Sequence, residues 1–167
     1  IGGWLLIKLF RAPKKLGKAA DRYRTKRADQ RLTEGLIQIM EGNVARGEKL
    51  LAQAARVSGT SLLNYLQAAR AAHLLGHHER RDNWLKQAYE QVPKAANAVL
   101  LTQAELQLDQ EQYEQALATL RRLEESSPNH NHALVLLGRL YFRLEDWNNL
   151  SALLPKLRKY GQLDALT

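Results

Sequence analysis

The chain has 167 residues, 45% of them apolar and 7% aromatic, a formal net charge of +8, and no cysteine. Without cysteine there is no thiol nucleophile, disulfide, iron–sulfur cluster or cysteine-based zinc site, and the composition suits a cytoplasmic location. The charge is unevenly placed: Ile1 to Arg31 holds 10 basic and 2 acidic residues, whereas the remaining 136 residues hold 15 of each sign. A nucleic-acid-binding array would spread Lys and Arg along its length, so nucleic acid is the least favoured partner.

The first element is an apolar stub, Trp4, Leu5, Leu6, Ile7, Leu9 and Phe10, followed by Lys8, Arg11, Lys14, Lys15, Lys18, Arg22, Arg24, Lys26, Arg27 and Arg31. A bilayer-spanning helix needs about twenty apolar residues, so the stub cannot cross a membrane alone. Basic residues that follow an apolar segment mark the cytoplasmic end of a membrane helix and attract anionic headgroups. The expectation is a leader over residues 1–31 at a membrane exit, with Trp4, Lys8, Arg11, Lys14, Lys15, Lys18 and Arg22 closest to the lipid and further membrane sequence upstream. A signal-peptide remnant and a solvated basic helix are the alternatives. A cleavable signal places its positive charges before the apolar stretch, the reverse of the order seen here.

Beyond the leader the pattern is helical. Helices are expected near Lys14 to Glu41, Val44 to Val57, Ser61 to Leu75, His78 to Gln91, Ala95 to Asp109, Gln112 to Glu125, Asn131 to Leu144 and Trp147 to Tyr160. Gly35, Ala69, Ala104 and Gly138 recur at intervals of 34, 35 and 34 residues. Leu51, Leu85, Leu120 and Leu154 keep the same intervals, as do Ala54, Ala88, Leu123 and Leu157. Three registers in step are the mark of stacked helical hairpins, each unable to bury its apolar side without a neighbour. The small residue midway through each first helix allows close approach of the next.

This pattern resembles the tetratricopeptide repeat. The third unit carries its small residues and proline as Ala104, Ala116 and Pro128, and the fourth carries Leu137, Gly138 and Tyr141, with Leu150 and Leu157 in place of small residues. The second has Ala69, Ala88 and Pro93 but departs at Arg81, and the first has Gly35, Gly47 and Ala54 with Gly59 in place of proline. The fold class expected is therefore all-α, a right-handed superhelical stack of about four hairpins (28–61, 62–96, 97–130 and 131–164). The array over residues 32–167 is expected to be truncated at its C-terminal end.

More specific stretches are Glu41-Gly42-Asn43 with Gly47-Glu48-Lys49-Leu50-Leu51, Asn64-Tyr65-Leu66 with Ala68-Ala69-Arg70-Ala71-Ala72, and Trp147 with Leu153-Leu154-Pro155. With the leader, these make the chain similar to the N-terminal part of the HemY family, bacterial inner-membrane tetratricopeptide proteins associated with protohaem biosynthesis. The resemblance implies a membrane-tethered, non-catalytic scaffold on the cytoplasmic side, holding proteins such as haem-synthesis enzymes. It does not imply the flavin-dependent protoporphyrinogen oxidase that shares the name. That enzyme needs a strand, a Gly-rich turn and a helix for its dinucleotide, and the chain has no G-x-G-x-x-G.

The resemblance to tetratricopeptide arrays implies that the first helix of each hairpin lines a concave groove. The corresponding slots hold Leu63, Leu66, Arg70, His73 and Leu74, then Ala98, Leu101, Glu105, Leu108 and Asp109, then His132, Val135, Arg139, Phe142 and Arg143. Leu66, Arg70, His73, Glu105, Arg139, Phe142 and Arg143 are the candidate partner-binding residues. Arginines over an apolar floor suit carboxylates on a peptide or a porphyrin; a solvated helix face is the alternative for the arginines, and the apolar slots serve equally well as core.

No catalytic or metal site is expected. His77 falls in a turn after His73, His130 and His132 stand where turn and capping roles are ordinary, and His78 occupies a packing slot shared with Val44, Tyr113 and Trp147. Trp84, Tyr89 and Trp147 are expected to pack between helices. No cofactor is assigned, haem or porphyrin being the alternative ligand.

Overall fold

The computed structural model describes the backbone of residues 3–57 and 61–160, and side chains within those spans from residue 17 onward. Among the described residues there are eight α-helices and no strand: α1 (Gly3–Met40), α2 (Val44–Ala55), α3 (Ser61–Leu74), α4 (His78–Gln91), α5 (Ala96–Asp109), α6 (Tyr113–Ser126), α7 (Asn131–Arg143) and α8 (Trp147–Lys159). A single 3₁₀ turn, Pro93–Ala95, leads into α5. The fold is all-α, as expected. From α2 onward the helix limits lie within two residues of those read from apolar spacing. The first helix differs, starting at Gly3 and carrying the basic leader and the first inner helix as one rod of 38 residues.

The chain divides into two compact units, residues 1–92 and 93–167. In the first, α1 packs on α2, α2 on α3 and α3 on α4. In the second, α5 packs on α6, α6 on α7 and α7 on α8. Small-residue positions explain this closeness. Gly35, Ala69, Ala104 and Gly138 are all buried, and so are Ala54, Ala88, Leu123 and Leu157. At the α1–α2 crossing two glycines meet: a Cβ on Gly47 would lie 2.7 Å from the Gly35 carbonyl oxygen and 2.5 Å from Ile39 Cγ1. The core of the second unit is leucine-rich, with Leu120, Leu123, Leu137 and Leu157 fully excluded from solvent. Leu154 departs from its series, remaining partly exposed while Leu51, Leu85 and Leu120 are buried. Its helix α8 packs on α7 and reaches α6 through the Lys156–Glu124 ion pair, whereas α6 is flanked by α5 and α7.

All four hairpin turns share one geometry. Gly42, Gly76, Glu111 and Glu145 have φ of 87°, 70°, 57° and 55°. In each turn the following residue donates its N–H to a carbonyl five residues back: Asn43 to Gln38, His77 to Ala72, Gln112 to Gln107 and Asp146 to Tyr141. The left-handed residue donates to a carbonyl three back, as Gly42 does to Ile39 and Glu145 does to Phe142. This is the Schellman ending of a helix, which satisfies the last carbonyls and reverses the chain within three residues. Arg81, standing where the repeat pattern takes a small residue, is accommodated as a buried side chain whose Nε donates to Asp82 Oδ1 at 2.7 Å.

Candidate partner-binding faces

The basic leader lies on α1. Lys18 and Arg22 are exposed. The side chains of Trp4, Lys8, Arg11, Lys14 and Lys15 lie outside the described residues. One and two turns further along, Tyr23, Lys26, Arg27 and Gln30 line an open concavity of about 360 Å³. Successive basic residues at helical spacing therefore give this rod a cationic surface beside a two-thirds exposed tyrosine. Among the described residues no helix is long and apolar enough to cross a membrane.

The candidate groove residues are divided between the two units. Leu66, Arg70 and His73 stand on α3 in the first unit, each partly buried. They share a helix face because they are four and three positions apart. On the same helix Leu63 and Leu74 are 45% and 66% exposed, large apolar side chains that the unit does not cover. Arg70 and His73 thus stand between exposed leucines, a polar pair on an apolar strip.

In the second unit, Glu105 of α5 faces His132 of α7, with 3.2 Å between carboxylate oxygen and ring nitrogen. Arg139 is exposed on α7. Arg143, at the end of α7, turns back toward the α5–α6 turn, its guanidinium 4.7 Å from the Tyr113 ring centroid and 3.5 Å from Glu111 Oε1. Phe142, 61% exposed, meets Trp147 edge to face at 5.6 Å. Val135, whose slot suits either the groove or the core, is in the core at 5% exposure, because α7 is apolar on nearly its whole circumference. Trp84 packs between helices, its ring 6.2 Å from Tyr65, and Trp147 of α8 packs on Phe142 of α7 while 53% exposed; Tyr89 is 41% exposed.

The histidines are spread among different tasks. His130 caps α7 by accepting the Ala133 N–H at 3.3 Å, while His132 pairs with Glu105. His77 is the residue before α4, as expected for a turn. His78 is a correction: it is exposed, because the first residue of α4 projects from the hairpin end. Both line an open hollow of about 410 Å³ with Gly76, Glu79 and Arg80. Among the described residues no group of three or more His, Asp or Glu side chains is placed to hold a metal ion.

Two features were not anticipated from residue patterns. One is the mostly buried Glu48, which accepts from Trp84 Nε1 at 3.0 Å and from Arg80 at 2.9 Å, tying α2 to α4. The other is the left-handed series Gly42, Gly76, Glu111 and Glu145, whose intervals of 34, 35 and 34 match the repeat. Its signal was in the spacing, but two glutamates concealed it.

Solved structures with this fold include the protein described as MamA RS-1 ArsTM double mutant, with a TM-score of 0.60 at 19% identity, covering 78% of this chain and 72% of that one. Another is described as YrrB, a TPR protein with an unusual peptide-binding site, with a TM-score of 0.60 at 14% identity and coverage of 95% and 85%. Such identities speak for the tetratricopeptide fold alone. Residues 1–76 match the family model described as HemY protein N-terminus. Protein HemY of Escherichia coli strain K12 and that of Shigella flexneri are each 29% identical over 156 residues, 93% of this chain. The chain spans 39% of the length of these relatives. The chain is thus similar to the HemY proteins, over its first 76 residues to their family's N-terminal model and over nearly its full length to the curated relatives.

Proposed function

We propose that this chain is a non-catalytic, membrane-tethered scaffold whose inner helices bind partner proteins, in the service of haem biosynthesis. One observation carries the reading: α3 places the partly buried Arg70 and His73 between Leu63 and Leu74, large apolar side chains that its own unit leaves exposed. An apolar strip interrupted by a guanidinium takes an extended or helical peptide, side chains covering the leucines while a carboxylate meets the arginine. Arg139 and Phe142 on α7 offer the same combination in the second unit. The family resemblance supports the haem-pathway setting and an inner-membrane location with the array on the cytoplasmic side. The cationic surface of α1, including Lys18, Arg22 and the hollow at Lys26 and Arg27, supports contact with anionic headgroups.

The test is crosslinking and recovery from membranes with the full-length protein, comparing it with Arg70→Glu and Arg139→Glu. Recovery of porphyrin-pathway enzymes, reduced several-fold by either substitution, is the expected result. Unchanged recovery moves the contact off these faces. Porphyrin carriage is the competing reading, and a Soret shift on titrating porphyrin into the protein, weakened in Arg70→Glu and His73→Ala, decides for it.

A further inference from the structure

Three residues of the second unit form a small latch. Arg143, the last residue of α7, reaches the preceding hairpin turn, where its guanidinium lies over Tyr113 and within 3.5 Å of Glu111, 32 residues earlier. Glu111 holds the left-handed turn position and Tyr113 opens α6. The acid and the ring therefore present one basic side chain with both a countercharge and a π-face.

The next turn repeats the receiving half. Glu145 has φ 55° against 57° for Glu111, and Trp147 opens α8 as Tyr113 opens α6. Their backbone bonds match as well: Asp146 N–H donates to Tyr141 at 2.9 Å, and Gln112 N–H to Gln107 at 2.9 Å. Trp147 is a better cation–π partner than tyrosine. Yet among the described residues no cation stands over Trp147 and none pairs with Glu145, and residues 161–167 contain no Lys or Arg. Phe142 and Leu144 beside this turn are 61% and 38% exposed, making with Trp147 an uncovered apolar patch. The first unit has no such receptor, its turns reading Gly42 with Val44 and Gly76 with His78.

We propose that Glu145 and Trp147 form the receiving half of a second latch, and that its occupant is an Arg or Lys at the end of the first helix of a following hairpin in the full-length polypeptide. Three observations choose this occupant over a separate protein. The occupied twin sits one repeat earlier and fixes the donor at 32 positions beyond the acid. Leu154 is partly exposed where its counterpart Leu120 is buried between α5 and α7, so the side of α8 that a further hairpin would cover is open. The curated relatives run well beyond the matched region, which is 39% of their length. The latch makes hairpin order legible: a hairpin bearing the basic residue seats only on a turn bearing the acid and the ring.

The experiment compares hydrogen exchange at residues 144–150 in the 167-residue chain and in the full-length polypeptide. The turn is expected to exchange at least tenfold more slowly in the full-length protein. Trp147→Ala and replacement by Gln of the basic residue 32 positions beyond Glu145 should each remove most of that protection, and together no more than either alone. Trp147→Phe should retain part of it. Trp147→Ala in the 167-residue chain should leave the melting temperature within a degree or two, which shows that the substitution does not act through unfolding. Equal exchange in the two proteins, additive effects, or no Arg or Lys within one residue of the expected position would overturn the proposal. So would concentration-dependent protection in the 167-residue chain, which would assign the patch to a second copy.

Discussion

Gly47 of α2 lies against the carbonyl of Gly35 in α1 so closely that a methyl group would stand 2.7 Å from that oxygen. A backbone atom inside a helix cannot step aside, so the contact sets the spacing of the first hairpin. Gly47→Ala is expected to lower stability by about 2–3 kcal/mol, at the upper end of what overpacking costs. Gly35→Ala should cost less, since its Cβ would meet Leu51 Cγ at 3.0 Å and the Gly47 carbonyl oxygen at 3.2 Å, wider than the 2.5 and 2.7 Å contacts at Gly47. Gly17→Ala, with nothing within 4 Å of its Cβ, should instead stabilise by about 0.5–1 kcal/mol through helix propensity. Urea titrations followed by circular dichroism check all three, and equal effects at Gly47 and Gly17 would remove the crossing as the cause.

The turn series makes a second prediction with opposite signs at equivalent positions. Gly76 has φ 70°, so Gly76→Ala should destabilise by about 1 kcal/mol although open space surrounds it. Glu145→Gly should stabilise the 167-residue chain by up to about 1 kcal/mol, because a β-carbon is removed from the left-handed region. Glu111→Gly should gain less, since it also gives up its pairing with Arg143. Thermal melts rank the three.

Glu48 offers a case where burial decides the magnitude. The residue is 6% exposed, and its carboxylate accepts from Trp84 and Arg80. Glu48→Ala leaves the indole N–H without its acceptor and should cost about 1.5–3 kcal/mol. Arg80 is half exposed on its side, so Arg80→Ala should cost no more than about 1 kcal/mol. A double-mutant cycle between Glu48 and Trp84 should give a coupling near 1 kcal/mol, and a coupling of zero would show that the indole bond contributes nothing.

Asp146 caps α8 by accepting from the Asn149 side chain at 2.6 Å and its backbone N–H at 3.2 Å. These two hydrogen bonds, the side-chain one foremost, hold its carboxyl below the ordinary carboxylate value. A folded pKa below the unfolded one means that the stabilisation is complete above the unfolded value. It is lost as pH falls through the folded value. Melting temperature should therefore fall more steeply with acidification in the natural chain than in Asp146→Asn, which keeps a capping oxygen but does not titrate. Parallel slopes below pH 5 would remove this carboxyl from the acid response.

Much of this architecture was legible in residue spacing. Apolar residues at helical intervals located α2 to α8, and the 34- and 35-residue intervals of Gly35, Ala69, Ala104 and Gly138 gave the hairpin count, because each buried small residue reports a helix packed close to it. The groove face was less legible. Val135 and Arg139 are four apart on one helix, yet one is in the core and the other exposed. An apolar helix such as α7 has no single face until its neighbours are placed.

By itself, then, the sequence determined the helical period, the repeat length, the small-residue crossings and the concentration of positive charge before Arg31, since each is a local or periodic property of the chain. Tertiary structure alone decided that Glu48 is buried beneath Trp84 and Arg80, that Arg143 closes over Tyr113, and that Trp147, the register counterpart of Tyr113, stays uncovered. Those contacts join residues 30 to 36 positions apart, and which partners meet across such a gap depends on how one hairpin lies against the next.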